Sequence, residues 1–387
     1  MPNQGMDDDS FKAFIEQLKR YVRERLVPAE PQVEALDRVP DDILNEMRAM
    51  GLFGISIPET YGGAGMNVSQ CMATVKEVCW AAPAYRSIMG INTGMFASAL
   101  LKSGTEAQRQ TWLPATAAGE IACFGLTEPG SGSDSAGLQT TAVRDGDHYV
   151  LNGTKRYITN APFAHVALIM ARTNKENLPK NSHISAFIMP MKSAGVSVGK
   201  PDSKMGQVGA QIADIVMQDV RVPTANLLGG DEGQGFATAM QALNNGRMSI
   251  AAVSTGYAKR ILDSALRYAT EREAFGTPIA NFQLIQAMLA DSEAEIYAAE
   301  CMLVDVARRA DAGENIITKA AAAKMFASEM CGRVADRCVQ IHGGAGYLAE
   351  YNAERFFRDS RIYRIYEGTT QIMQLVIAKQ MLRDFEH

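Results

Sequence analysis

The hydrophobic period of this 387-residue chain changes twice along its length, and that constrains the fold more than any other feature. Residues 11–26 place Phe11, Phe14, Ile15, Leu18, Val22 and Leu26 on one helical face, with Ser10 suited to cap the helix and Pro28 to stop it. Helical spacing continues over 41–50, 67–82 and 85–102, and Thr105 with Gln108 forms a capping box that opens a short helix before Pro114. Between about 121 and 222 the period falls to two. Ile184, Ala186 and Ile188 alternate with Ser185, Phe187 and Met189, as Ile215 and Met217 do with Asp214, Val216 and Gln218. Asp145-Gly146, Asn152-Gly153 and the loop from Asn174 to Asn181 punctuate these runs without a crossover helix, which predicts an antiparallel sheet or small barrel rather than a Rossmann unit. From Gly235 the chain is helical again. Ile285, Leu289, Ser292, Ile296, Ala299, Leu303 and Val306 keep a 4-3-4-3 seam, and Ala-rich stretches at 236–270 and 317–341 allow close helix approach. The expectation is an α+β chain, mostly α, with an N-terminal all-α domain (1–120), a central β domain (121–232) and a C-terminal helical bundle (233–387).

Charge and composition narrow the function. A chain of net charge -5 lacks the basic surface that nucleic acid requires. No apolar run reaches the roughly 18 residues of a membrane span. The acidic stretch Asp7-Asp8-Asp9-Ser10 resembles neither a secretory leader nor a transit peptide, so a cytoplasmic location is expected. Cys71, Cys79, Cys123, Cys301, Cys331 and Cys338 show no CxxC and no metal-like grouping with histidine, and read as reduced core residues with no metal site. Histidines are few, and G-x-S-x-G, H-E-x-x-H, the P-loop and G-x-G-x-x-G are all absent, which disfavours triad hydrolases, zinc proteases and nucleotide-triphosphate or nicotinamide chemistry.

Three segments remain. Tyr366-Glu367-Gly368-Thr369-Thr370-Gln371 places one carboxylate just ahead of a helix with hydroxyl residues to cap it. A helix dipole favours the ionised acid there while burial raises its pKa, a tension suited to a general base; an exposed Glu at a helix start fits the same residues. Thr127 to Asp134, rich in glycine and hydroxyls, is either a ligand loop or an ordinary tight turn. Gln340 to Tyr347, with Gly343 and Gly344, is either a helix C-cap or a close approach of backbone to a ligand.

Four segments in one order resemble the acyl-CoA dehydrogenase family of flavoenzymes: Leu126 to Asp134, Asn152 to Asn160, Gln340 to Gly346, and Ile365 to Thr369. The likeness runs over nearly the whole chain, including Gly62-Gly63 and Arg272-Glu273-Ala274-Phe275-Gly276. It implies a C-terminal four-helix bundle, a homotetramer built as a dimer of dimers, and FAD held non-covalently between the β domain and the bundle. By that resemblance Phe124, Leu126, Thr127, Gly132, Ser133, Tyr157, Ile158 and Thr159 line the flavin, with Thr159 near its N5. Arg272, Phe275, Gln283, Gln340, Gly343 and Gly344 reach the FAD of a neighbouring subunit, and Thr369 and Gln371 complete the cofactor contacts.

The resemblance also makes Glu367 the base that takes the α-proton of a fatty or branched acyl-CoA while the β-hydride passes to flavin N5, giving a trans-2-enoyl-CoA and sending electrons to an electron-transfer flavoprotein. The Glu367 N–H and a flavin ribityl hydroxyl then polarise the thioester carbonyl. Ser133, Asn244, Arg247, Glu367 and Gly368 are the implied substrate contacts. Some members carry the base just before the arginine matching Arg247; that position is Gly246, which cannot serve. Two residues depart from the common pattern: Tyr157 stands where Trp is usual, and Asn244 where several members have Asp. The acyl cavity is expected among the helices of 85–102, opened by Gly90 and Gly94 and closed by Ile91 and Met95, with a mild preference for medium to long straight chains and branched short chains close behind. The alternatives are an acyl-CoA oxidase that uses oxygen and a catalytically silent flavin-binding assembly protein.

Overall fold

Asp7, rather than Ser10, caps the first helix: its carboxylate accepts the Ser10 N–H at 2.9 Å, and Asp8 and Asp9 fill the first turn, where the helix dipole favours negative charge. The structure, a computed structural model, describes residues 3–173 and 183–385, so the loop expected from Asn174 to Asn181 lies outside the described residues. Helix α1 (Asp8–Tyr21) continues through a π-helical turn and is followed by α2 (Glu30–Leu36) and α3 (Asp41–Ala49). Asn67 and Gln70 form a capping box for α4 (Val68–Val78). The stretch expected as one helix over 85–102 is α5 (Pro83–Gly90), a π-helical turn (Ile91–Phe96) and α6 (Ala97–Ser103) in succession. Thr105 and Gln108 make the expected box on α7 (Glu106–Ala117), but the helix runs through Pro114 instead of stopping before it. Pro114 is exposed, so water can satisfy the carbonyl that its missing N–H leaves free.

The middle third is a seven-stranded curled sheet of β1 (Ala122–Gly125), β2 (Thr141–Asp145), β3 (His148–Thr159), β4 (Val166–Arg172), β5 (Ile184–Pro190), β6 (Val196–Val198) and β7 (Ile212–Pro223). Most pairs are antiparallel, including the β2–β3 hairpin that turns at Gly146. The sheet is nevertheless mixed: the hairpin carries the chain out and back before β4, so β4 lies parallel to β1 and meets β2 in parallel at Thr141 and Arg172. Alternation in β5 marks two apolar faces rather than one. Ile184, Ala186 and Ile188 join Phe96, Leu100 and Leu113 of the N-terminal helices in one core cluster, and Phe187 and Met189 join Leu151, Ile215 and Met217 in another. The sheet and the N-terminal helices thereby share one apolar core.

Helix α8 (Gly235–Glu271) leads through a short hairpin, β8 (Glu273–Ala274) and β9 (Thr277–Pro278), to α9 (Gln283–Asp311), α10 (Ile317–His342), α11 (Asn352–Ser360) and α12 (Thr370–Phe385). Helix α10 packs on α8, α9 and α12. The α9 seam is buried from Ser292 to Val306, whereas Ile285 and Leu289 are only half-buried. Gly256 sits where α8 meets α4: a Cβ there would stand 2.9 Å from the Lys76 carbonyl carbon, so glycine sets how closely these helices pack. Five cysteines are buried as expected, but Cys301 is exposed on α9, since its helical position falls outside the seam. Among the described residues no helix is long and apolar enough to cross a membrane.

A buried ionic cluster joins the layers. Glu30 on α2 accepts from Arg260 of α8 and Arg355 of α11, at 2.8 and 2.6 Å to its Oε2, and from the Ala82 N–H at 2.8 Å. Asp359 of α11 accepts from the Tyr257 hydroxyl at 2.8 Å and from the N–H of Gln207. Removing one anion from such a cluster leaves guanidinium charge stranded in low dielectric. Glu30→Gln keeps the volume and is expected to cost about 3–5 kcal/mol, read as a lower urea midpoint with an unchanged slope.

Candidate active site

The residue that organises the site is held in an unfavourable backbone conformation. Glu367 has φ +57° and Gly368 φ +94°, so the chain reverses sharply between the 3-10 turn Arg361–Arg364 and α12. Helix α10 grips this loop: Lys324 Nζ donates to the Gly368 carbonyl at 2.7 Å, and Glu329 accepts from Thr370 Oγ1 at 2.7 Å and from Arg364 Nη1 at 2.6 Å. Thr369 Oγ1 accepts the Ile372 N–H at 3.2 Å, the capping expected for α12. The reversal turns the Glu367 side chain inward over Gly246 of α8. A Cβ at Gly246 would stand 2.7 Å from Glu367 Cδ, so that position must be glycine for the carboxylate to rest there.

Although Glu367 is half-buried as a residue, its Oε2 is sealed from solvent and has no hydrogen-bond partner, which removes the exposed-Glu alternative. Burial raises its pKa to about 7, against the opposing charges of Arg86, Lys324 and Arg247 in that order. These cations come from α5, α10 and α8, and none lies within ion-pair distance of Glu367 among the described residues. Burial likewise lowers Lys324 to about 8 and lowers Arg247. Arg247 Nη1 donates to Asn244 Oδ1 at 2.7 Å, so that side chain is already engaged on its acceptor atom. Sequence reasoning misses Arg86 and Lys324; the available signal is a charged residue inside an otherwise buried or Ala-rich helix.

The glycine- and hydroxyl-rich loop is pinned from below. Glu128 accepts from the N–H groups of Gln139 and Thr140, from Thr140 Oγ1 and from the buried Lys155 Nζ at 2.7 Å; it is structural and unavailable to a ligand. Above this anchor Gly132 and Ser133 are exposed, Phe124 and Thr127 half-buried and Leu126 buried. Strand β3 loses register with β7 between Lys155 and Ile158. The irregularity puts Tyr157 in left-handed backbone (φ +59°) and exposes its ring, with Thr159 half-buried two residues on. Ile158 points the other way into the sheet core and offers only backbone.

The remaining predicted contacts lie on the surface. Arg272, Phe275 and Gln283 flank the β8–β9 hairpin, where Phe275 is 98% exposed in left-handed backbone (φ +55°) and touches Phe282 edge to face. Gln340, Gly343 and Gly344 are exposed; Gly343 caps α10, with open space where a Cβ would stand at either glycine. Gln371 is exposed at the start of α12.

A cavity of about 300 Å³ lies among α4, the π-helical turn and α8, lined by Met72, Val75, Gly94, Ser98, Met248 and Ser249 among others. Gly94 is among its lining residues, with open space where a Cβ would stand. Gly90 is not: its missing Cβ makes room for the Arg86 guanidinium, 3.0 Å from where that atom would be. Ile91 and Met95, in the same π-helical turn as Thr93 and Gly94, are not part of the wall. A second depression, of about 400 Å³, between α10 and α11 shares none of these residues.

A helical layer, a curled sheet and a helical bundle around one sealed carboxylate define an enzyme of the acyl-CoA dehydrogenase type. Family profiles agree across the chain: the acyl-CoA dehydrogenase N-terminal domain matches residues 8–120, the middle domain 123–220 and the C-terminal domain 233–382. The protein belongs to the acyl-CoA dehydrogenase family. It is 42% identical over 376 residues to the caffeyl-CoA reductase-Etf complex subunit CarC of Acetobacterium woodii, covering 96% of this chain and 98% of that one. It is 37% identical over 378 residues to the human mitochondrial short-chain specific acyl-CoA dehydrogenase, covering 97% and 91%. The butyryl-CoA dehydrogenase of Megasphaera elsdenii superposes with a TM-score of 0.93 at 34% identity, over 97% of this chain and all of the other. The protein is therefore an FAD-dependent oxidoreductase acting on acyl-CoA. Its residues fit that group: an exposed aromatic ring at the strand irregularity lies beside a loop with open hydroxyl and glycine positions.

The raised pKa has a consequence for folding. Glu367 is destabilising when ionised in the folded state, so its penalty is absent below the unfolded value of 4.5 and fully present above about 7. Glu367→Gln is expected to gain up to about 3 kcal/mol over wild type at pH 8, with the gap closing as pH falls to 4.5, by urea titration at each pH. Gly246→Ala is expected to fold normally yet displace the carboxylate, seen as a lower Glu367 pKa in a carboxyl titration.

Proposed function

We propose that Glu367 is the base that removes the α-proton of a short-chain acyl-CoA as the β-hydrogen leaves with its electron pair, so that a trans-2-enoyl-CoA forms. The observation that carries this reading is the sealed, unpartnered carboxylate with a pKa near 7. Such an acid is ionised often enough to accept a proton and basic enough to hold one. FAD, when bound, supplies the two-electron acceptor for the β-hydride. Tyr157 and Thr159, with Phe124, Leu126, Thr127, Gly132, Ser133, the Ile158 backbone, Thr369 and Gln371, are the residues we assign to holding it in its own subunit. The Glu367 N–H has no backbone carbonyl partner among the described residues and is free to bond a thioester oxygen. Ser133, Gly368, Arg247 and the amide nitrogen of Asn244 are assigned to the CoA ester.

Cavity size favours a short acyl group over the medium to long chains expected from sequence, in accord with the relatives named for short-chain and butyryl substrates. Electrons pass on to an electron-transfer flavoprotein, a reading supported by the relative named as part of an Etf complex. A homotetramer accounts for two features of the isolated chain. Leu284, Tyr297, Leu375, Met381, Leu382 and Phe385 expose apolar surface on α9 and α12, and the hairpin projects Phe275 where only a neighbouring subunit could cover it. Arg272, Phe275, Gln283, Gln340, Gly343 and Gly344 would then serve the neighbour's FAD.

Anaerobic addition of butyryl-CoA is expected to bleach the flavin of wild type, while Glu367→Gln binds the ester and stays oxidised; ready reduction of the variant contradicts the assignment. Peroxide formation without an added acceptor would favour the oxidase, and a wild type that never bleaches would favour a silent binding protein. The rate of reduction at limiting ester is expected to rise with pH and level off above about 7, since the ionised form acts. Lys324→Met removes a charge that opposes the upward shift and is expected to move this limb to higher pH.

A further inference from the structure

The depression of about 400 Å³ between α10 and α11 brings four guanidiniums to one place. Arg333 and Arg337 stand one turn apart on α10, and Arg361 and Arg364 stand at either end of the 3-10 turn that leads to the Glu367 loop. Spacing of four on an α-helix and of three on a 3-10 turn puts each pair on a single face. Three of the four are compensated. Arg333 and Arg337 share Glu295 of α9 at 3.0 Å each, and Arg364 meets Glu329 at 2.6 Å. Arg361 enters no ion pair among the described residues, and its Nη1 is sealed from solvent without a hydrogen-bond partner. Leaving a desolvated guanidinium nitrogen without an acceptor is costly to the fold. Asp336 is the one acid on the wall, so with Glu295 and Glu329 behind it three carboxylates face four guanidiniums and one positive charge is left over.

We propose that this depression is a binding site for a phosphate-class oxyanion, held by Arg361 together with the unspent N–H groups of Arg333, Arg337 and Arg364. The inference stands apart from the dehydrogenation reading above and does not rest on it. A guanidinium carries five N–H donors, and each of the three paired ones spends only one or two of its nitrogens on Glu295, Ser292 or Glu329, so donors remain on both walls. One planar fork satisfies a carboxylate; donors on two facing walls suit an anion whose oxygens point in four directions. The wall also offers acceptors. Asp336 enters no ion pair among the described residues, and Ser360 Oγ donates its own proton to the Phe357 carbonyl at 3.0 Å, which leaves its lone pairs free. Either can accept the P–OH of hydrogen phosphate, a donor that sulfate lacks. Gly332 keeps the depression open, since a Cβ there would meet nothing within 4 Å. Once bound, the anion ties the 3-10 turn to α10, the helix that already grips the Glu367 loop through Lys324 and Glu329. Occupancy thus braces that loop from outside the acyl cavity.

The test is equilibrium dialysis of radiolabelled phosphate against the FAD holoenzyme in chloride buffer, with unlabelled phosphate, sulfate and AMP as competitors. Wild type is expected to retain one phosphate per chain, and sulfate to displace it only at a concentration at least about tenfold above that of unlabelled phosphate. Arg361→Met, and Gly332→Leu, which fills the depression, each weaken retention at least about tenfold, whereas Arg361→Lys keeps part of it and Asp336→Asn narrows the gap between phosphate and sulfate. AMP that competes better than phosphate identifies the phosphate end of a nucleotide as the ligand, and AMP that competes worse identifies free phosphate; both support the site. Bound phosphate is also expected to raise the unfolding temperature of wild type and not of Gly332→Leu. Wild type that retains no phosphate at millimolar concentration, or retention unchanged in both Arg361→Met and Gly332→Leu, would overturn the proposal, and equal competition by sulfate would refute the choice of phosphate. Should Arg361→Met not fold, Gly332→Leu decides alone, because open space receives its side chain: lost retention supports the site and full retention refutes it.

Discussion

Burial of the Glu367 carboxylate without a hydrogen bond is the constraint on which the rest of the site depends. An acid so placed would simply stay protonated if nothing opposed desolvation. Arg86, Lys324 and Arg247 oppose it from three helices, close enough to act through the field and too far to form an ion pair that would occupy the carboxylate. That balance requires α5, α8 and α10 to keep their relative positions. The Glu30 cluster and the shared apolar core provide the rigidity, joining α2, α8 and α11 while β4 and β5 are clamped between two apolar clusters.

Three of the seven non-glycine residues in left-handed backbone among the described residues fall where ligand chemistry is expected. Tyr157, Phe275 and Glu367 are all non-glycine residues in left-handed backbone. For Glu367 the reversal turns the acid inward; for the two aromatics it turns rings outward. Firm local structure holds the acid through the Lys324 and Glu329 clamps, and the Glu128–Lys155 pair steadies the loop and strand beside Tyr157. An ionised Glu367 lowers stability, so the site trades folding free energy for chemistry.

Much of this is legible from residue patterns. The double change of period separates helices from strands, the Thr105–Gln108 capping box forms where the spacing places it, and the conformation of Glu367 and Gly368 matches a loop at the mouth of α12. Long-range geometry is not legible. Parallel pairing of β1 with β4 depends on where the β2–β3 hairpin takes the chain, and burial of both faces of β5 depends on helices remote in sequence. Gly90 reads as an opening for ligand because its occupant, the Arg86 guanidinium, arrives from one helical turn away. Lys324 is inconspicuous in an Ala-rich helix because its role depends on a loop 44 residues further on.

Direct titration of Glu367 tests the central claim. Carboxyl groups followed by difference infrared spectroscopy, wild type minus Glu367→Gln, report this one acid in the free protein. Half-protonation is expected near pH 7. A midpoint in the ordinary carboxylate range, near 4.5, would show that the acid is solvated or paired and would contradict a sealed carboxyl group.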